Sequence, residues 1–150
     1  MTRRLLLLCA LLGAAVAAAP PVLEVRDAWL REPPPSPTTT AGYVTLHNTG
    51  TAAITLTGAR STLGRVELHE TRVEDGVARM RPVSALTVPP GGRLEFKPGG
   101  LHLMLIEPKP APKAGGRVPL WLQTREAGEI QAEFEVRAGG DGSGHAHHHH

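Results

Sequence analysis

The stretch Leu101-His102-Leu103-Met104-Leu105 determines how the rest of the chain is interpreted. Its alternation is typical of a β-strand, in which residues two apart lie on the same face. We therefore expect the three leucines to face a core and His102 and Met104 to project together from the opposite face. An imidazole beside a thioether is one half of a site for a soft metal ion.

Short stretches of the same kind recur along the chain, separated by turn residues such as Asn48-Thr49-Gly50 and Asp75-Gly76. None of them has sustained helical periodicity. The pattern predicts an all-β fold, a sandwich or Greek-key barrel of about nine or ten short strands. The stretches of this kind are 22–26 with 28–31, 42–47, 53–59, 64–69, 71–73, 77–81, 86–88, 93–97, 101–105, 117–124 and 129–136.

The first residues predict an export signal. Arg3 and Arg4 precede an apolar run, and Ala15-Val16-Ala17 has the small-residue pattern of a cleavage site. The run is shorter than the roughly 20 residues that a membrane span needs. We interpret residues 1–17 as a cleaved signal peptide, with cleavage near Ala17 to Ala19, and residues 20–137 as the folded domain.

The composition of the remaining chain narrows the classes of function. Without Arg3 and Arg4, the 14 basic residues equal the 14 acidic ones, so the charge does not indicate a nucleic-acid surface. Cys9 is the only cysteine and lies within the signal, after leucines that lack the small side chains of a lipidation site. The mature chain is then free of thiols, and thioethers and imidazoles avoid the oxidation that thiolates undergo outside the cytosol.

The composition changes after Val136. Residues 138–144 are a Gly-rich linker, and the chain ends in a histidine-rich tail that could be native or a purification tag. The signal peptide and the interruption by Ala146 favour a native tail. Clustered imidazoles bind Cu(II), Ni(II) or Zn(II), so the tail is a candidate second metal site; Cu(II) binding that survives its removal would exclude this. Its histidines are His145, His147, His148, His149 and His150.

Between the signal and the tail, histidine and methionine occur at only five positions, His47, His69, Met80, His102 and Met104. The last four have the spacing H-x10-M-x21-H-x-M. This spacing resembles that of the periplasmic copper chaperones called PCuAC, and the flanking stretches 27–31, 41–50, 66–70, 80–83 and 98–105 resemble that family too. One position differs: some members have a methionine directly after the first histidine, where this chain has Glu70.

The resemblance implies a cupredoxin-like β-sandwich in the periplasm that binds Cu(I) through His69, Met80, His102 and Met104. It also implies delivery of copper toward the CuA centre of cytochrome c oxidase, with the CuA-containing subunit and thioredoxin-like Sco proteins as partners. The chemistry of these ligands agrees with Cu(I) binding, because thioethers suit Cu(I) and are poor ligands for Mg, Ca or Mn. His47 matches no ligand position, and Trp29, Tyr43 and Trp121 are interpreted as packing residues.

Three alternatives to a copper-delivering chaperone remain open. The same four ligands would serve a storage or resistance protein that sequesters copper without delivery. A blue-copper electron carrier or redox enzyme would need a Cys thiolate, which the mature chain lacks. A structural sandwich without metal is the third. No nucleophile–base pair stands out, so the sequence gives no reason to expect catalysis.

Overall fold

The computed structural model describes residues 22–36 and 38–139, and these form ten β-strands and no helix. The predicted all-β class is therefore confirmed. No helix that could span a membrane is found in these residues. The predicted signal peptide with Cys9 and the histidine tail lie outside the described residues. The strands are β1 (Leu23–Arg31), β2 (Thr40–Asn48), β3 (Ile54–Ser61), β4 (Arg65–Glu74), β5 (Val77–Pro82), β6 (Leu86–Val88), β7 (Arg93–Phe96), β8 (Leu101–Ile106), β9 (Arg117–Thr124) and β10 (Gly128–Arg137).

The strands hydrogen-bond in the order β5-β4-β8-β2-β1-β10-β9-β3-β6, and β7 pairs with β2. Strands β1 and β10 run parallel. Side chains that point inward from strands in both halves of this strand order pack into one hydrophobic core. Leu103 and Leu105 of β8 there join Leu120 of β9 and Phe134 of β10. All four side chains are fully buried. The sheet thus wraps around a single core, which is the arrangement of a sandwich.

Strand β1 joins the predicted stretches 22–26 and 28–31 and runs through Asp27 between them. This residue has a positive φ of 51°, and the pairing with β2 shifts between Arg26 and Trp29. A β-bulge of this kind absorbs one residue and lets the strand continue.

Strand β4 is likewise longer than predicted and continues through Glu70. There the ladder pairs Glu70 with Leu101 on one side and with Arg81 on the other. The charge is accommodated because the β4–β5 hairpin extends beyond the core: β5 is exposed along its whole length, and the Glu70 carboxylate accepts a 2.8 Å hydrogen bond from Arg72.

Candidate metal site

Strand β8 separates its side chains between two faces, as the alternation predicts. Leu103 and Leu105 point into the core and are fully buried. His102 and Met104 lie on the outer face of the sheet. The neighbouring strand β4 follows the same division, because Val66 pairs with Leu105 inside.

His69 is brought to His102 by the register of β4 against β8. The two residues are direct cross-strand partners, and their ring centroids lie 5.8 Å apart. An imidazole nitrogen binds a metal at about 2 Å, so two rings on one ion have centroids within roughly 6 Å of each other. The separation therefore allows both rings to bind the same ion.

The two methionines lie on the same outer face. Met104 is partly buried and pairs with Glu67 across the β4–β8 ladder. Met80 pairs with Thr71, two residues beyond His69 on β4. This makes Met80 a diagonal neighbour of His69, and diagonal neighbours are about 7–8 Å apart, within reach of long side chains. The Met80 side chain is 51% exposed.

The hydrogen bonds of His102 leave one of its ring nitrogens free. Nδ1 lies 3.1 Å from the Gly100 carbonyl oxygen and donates to it. Nε2 is buried and has no hydrogen-bond partner among residues 22–36 and 38–139. With the proton on Nδ1, Nε2 carries the lone pair that a metal requires.

His69 has the opposite arrangement. Its Nε2 lies 2.9 Å from Oε2 of Glu67, and its Nδ1 is buried without a hydrogen-bond partner in the part of the chain that the structure describes. A neutral imidazole that donates from Nε2 has its lone pair on Nδ1. Each histidine therefore has one satisfied nitrogen and one that is buried and available.

Glu67 is the site residue that the sequence analysis did not identify. Its second oxygen, Oε1, lies 3.2 Å from Nε of Arg65. The hydrogen bond from His69 is the main cause of a lowered pKa of Glu67, and Arg65 adds to it although desolvation opposes both. The signal was present in the sequence, because Arg65, Glu67 and His69 alternate along one strand and so share a face.

His102 is deeply buried, and only 4% of the residue is exposed. Its cross-strand partner His69 lies beside it on β4, with the ring centroids 5.8 Å apart, so the neighbouring imidazole limits its exposure on that side.

The remaining residues considered from the sequence lie elsewhere. His47 is on β2, with its Nδ1 3.6 Å from a Glu24 carboxylate oxygen. Trp29 packs on Tyr43 with centroids 4.6 Å apart, and Trp121 lies under the Arg60 guanidinium at 4.2 Å.

The donor types at the site restrict which ion it could hold. Within the described ranges, no group of three or more His, Cys, Asp or Glu side chains is arranged to hold a metal ion. A set that combined His69 and His102 with Met80 or Met104 would include thioether sulfur. Such a mixed nitrogen and sulfur set suits Cu(I).

Solved structures share this fold. A copper-bound PCuAC domain from PmoF2 aligns with a TM-score of 0.67 at 24% identity, covering 81% of this chain and 97% of that domain. The Cu(I) form of DR1885 from Deinococcus radiodurans is 30% identical with a TM-score of 0.60, covering 82% of this chain and 81% of that one. Its apo form is 29% identical with a TM-score of 0.61, covering 92% and 95%. The expected PCuAC-type, cupredoxin-like fold is confirmed.

Sequence relatives are described as lipoproteins. "Putative lipoprotein Lxx21020" of Leifsonia xyli is 31% identical over 103 residues, or 67% of this chain. The chain spans 61% of the length of that relative. The family described as "Putative lipoprotein LpqE-like" matches residues 23–136. This match covers β1 and nearly all of the sheet through β10, and the chain therefore belongs to the LpqE-like family.

Proposed function

We propose that this protein is an exported copper chaperone that binds one Cu(I) ion through His69, Met80, His102 and Met104. The observation that carries the proposal is the pair of available nitrogens. His69 Nδ1 and His102 Nε2 are both buried without a hydrogen-bond partner among the described residues, on rings whose centroids are 5.8 Å apart.

A buried lone pair without a partner is energetically unfavourable. Leaving a buried polar atom unsatisfied costs about 1–3 kcal/mol, and native structures seldom do so without a reason. His47 Nδ1 is a third buried nitrogen without a hydrogen-bond partner among the described residues, but it lies 3.6 Å from a Glu24 carboxylate oxygen. Only His69 and His102 have such atoms on rings that lie side by side, and one ion shared by both rings would satisfy both atoms. A metal ligand of this kind usually donates its other ring N–H to a carboxylate or a carbonyl, as His69 does to Glu67 and His102 to Gly100.

The methionines decide which ion is favoured. Zinc is normally held by thiolate, imidazole or carboxylate, whereas thioether is a soft, neutral donor suited to Cu(I). The relatives support this assignment, since one solved relative is a Cu(I) form and another is a copper-bound domain. Met80, at 51% exposure, gives the site an accessible side from which a partner's ligands could take the ion.

The export and delivery steps complete the proposal. Residues 1–17 direct the chain out of the cytoplasm, and the lipoprotein description of the relatives supports export. The acceptor we propose is the CuA centre of cytochrome c oxidase in the periplasm, with Sco-type proteins as further partners. The role is binding and transfer, without catalysis. The tail histidines, from His145 to His150, are proposed as a separate Cu(II) site.

Delivery is tested by direct transfer. The protein is loaded with one equivalent of Cu(I) without oxygen, mixed with an apo CuA domain, and separated from it, and the copper in each fraction is measured. We expect copper to move to the CuA domain. In the control, a Cu(I) chelator that maintains the same free copper concentration replaces the protein. It should transfer copper to the CuA domain more slowly. Copper that stays on the chaperone would contradict delivery and favour sequestration.

A further inference from the structure

The third polar side chain at the site, Glu67, is not among the four ligands. We propose that Glu67 is a positioning residue for His69, holding the Nε2–H of the ring so that Nδ1 is the nitrogen that binds copper. This inference rests on the proposed Cu(I) function and adds to it the atom through which each histidine binds.

The geometry of β4 carries the proposal. Oε2 of Glu67 lies 2.9 Å from Nε2 of His69, and Oε1 lies 3.2 Å from Nε of Arg65. The three side chains alternate along one strand and so line up on its outer face. Because each carboxylate oxygen has its own partner, the carboxylate is held from both ends, and with it the orientation of the imidazole.

The other nitrogen of His69 completes the argument. Nδ1 is buried and, within the described parts of the chain, has no hydrogen-bond partner. The His69 side chain as a whole is only 14% exposed, so solvent does not readily satisfy this atom. The nitrogen that faces no protein partner is thus Nδ1, whereas Nε2 already has a charged one.

The two histidines are therefore oriented in opposite senses. His102 donates from Nδ1 to the Gly100 carbonyl oxygen at 3.1 Å, which leaves its Nε2 for the ion. Gly100 itself is fixed, because its carbonyl also accepts a 3.0 Å hydrogen bond from the Thr71 amide. The ion would be bound by Nδ1 of one ring and Nε2 of the other.

Glu67 would also contribute charge. Two imidazoles and two thioethers are neutral, so a Cu(I) ion bound by them keeps its positive charge. A carboxylate one imidazole away attracts that charge, and it strengthens the donor character of the ring to which it is hydrogen-bonded. Replacement by glutamine removes the charge and keeps the shape.

The experiment uses the full mature chain with ¹⁵N-labelled histidine. Long-range ¹H–¹⁵N spectra of the apo and Cu(I)-loaded forms report which ring nitrogen carries the proton and which one binds copper. We expect His69 to keep its Nε2–H in both forms and to show the copper-induced shift at Nδ1, while His102 shows it at Nε2. In Glu67→Gln the single tautomer of His69 should be lost, and the Cu(I) dissociation constant should rise about 10- to 100-fold, as for other hydrogen-bond partners of metal ligands.

Glu70→Gln is the matched control. Glu70 lies on the same strand but on the opposite face, pairs with Arg72 in the same i to i+2 pattern at 2.8 Å, and is 30% exposed against 35% for Glu67. This variant should bind Cu(I) like the parent and leave the His69 spectrum unchanged.

The outcomes separate this inference from the function on which it rests. A copper-induced shift at Nε2 of His69, or a Glu67→Gln variant with parental tautomer and affinity, would overturn the role of Glu67 and leave Cu(I) binding intact. A parent protein that binds no Cu(I) would overturn both.

Discussion

Met104→Leu and Met80→Leu should each weaken Cu(I) binding strongly, and the double variant should weaken it further. Each change would remove a proposed sulfur ligand, so the loss should exceed the roughly 10- to 100-fold that follows from losing only a hydrogen-bond partner of a ligand. Leucine has nearly the volume of methionine, and such swaps usually cost less than about 1.5 kcal/mol of stability. The fold should therefore survive. Competition with a chromophoric Cu(I) chelator in the absence of oxygen measures the dissociation constants.

The control for this series is His47→Gln. His47 is a histidine of the same domain, but it lies against Glu24 and is not one of the four proposed ligands, so its loss should leave the Cu(I) affinity unchanged. Thermal melting of every variant verifies folding. If both methionine variants bound Cu(I) as tightly as the parent while remaining folded, the assignment of Met80 and Met104 would be wrong.

Leu103→Ala should lower the free energy of unfolding by about 2–5 kcal/mol, the range found when a large buried aliphatic side chain is truncated. Leu103 lies between His102 and Met104 in sequence, yet its side chain is fully buried on the core face. The change therefore removes packing from the strand that carries two proposed ligands. Urea denaturation of the apo protein measures the loss.

Val73→Ala is the comparison for Leu103→Ala. Val73 also lies on a strand of the site, β4, but it is 73% exposed, and surface substitutions usually stay within about 0.5 kcal/mol of the parent. Because β8 has one face in the core and β4 is exposed at Val73, the two variants should differ. A loss below about 1 kcal/mol for Leu103→Ala would mean that this position is not packed as the core of a folded domain should be.

Most of the fold could be predicted because strand alternation is a local property of the sequence. Strand β9 has the predicted bounds, Arg117–Thr124, and β8 extends one residue further than predicted, to Ile106. The errors lie where tertiary structure decides. Nothing local shows that Asp27 is accommodated by a bulge against β2, or that Glu70 lies on a hairpin that extends beyond the core.

For the site, the sequence predicted the shared face of His102 and Met104, because residues two apart on a strand must share it. It could not predict the pairing of His69 with His102, since strand register depends on the whole sheet. The burial of the side chains could not be predicted from the sequence either. His102 is 4% exposed and Met80 is 51% exposed, although both were expected at one site. The ligand roles of all four residues stay predictions.

The hydrogen bonds of the two imidazole rings could likewise be predicted only in part from the sequence. The Glu67 carboxylate and the Gly100 carbonyl both lie two residues before the histidine they contact, so their nearness could have been inferred. Which ring nitrogen each one engages depends on side-chain rotamers, and these are set by packing against neighbouring strands. The sequence therefore identifies the candidate residues, and the structure is needed to identify which ring nitrogen of each histidine is available.

The central claim is that Cu(I) is held by both imidazole nitrogen and thioether sulfur on the outer face of β4, β5 and β8. X-ray absorption spectroscopy at the copper edge of the Cu(I)-loaded protein tests it most directly, because nitrogen and sulfur neighbours scatter differently. We predict a mixed shell containing both imidazole and sulfur, with the sulfur contribution lost in the Met80→Leu and Met104→Leu double variant. A parent spectrum with nitrogen and oxygen neighbours alone would contradict the account.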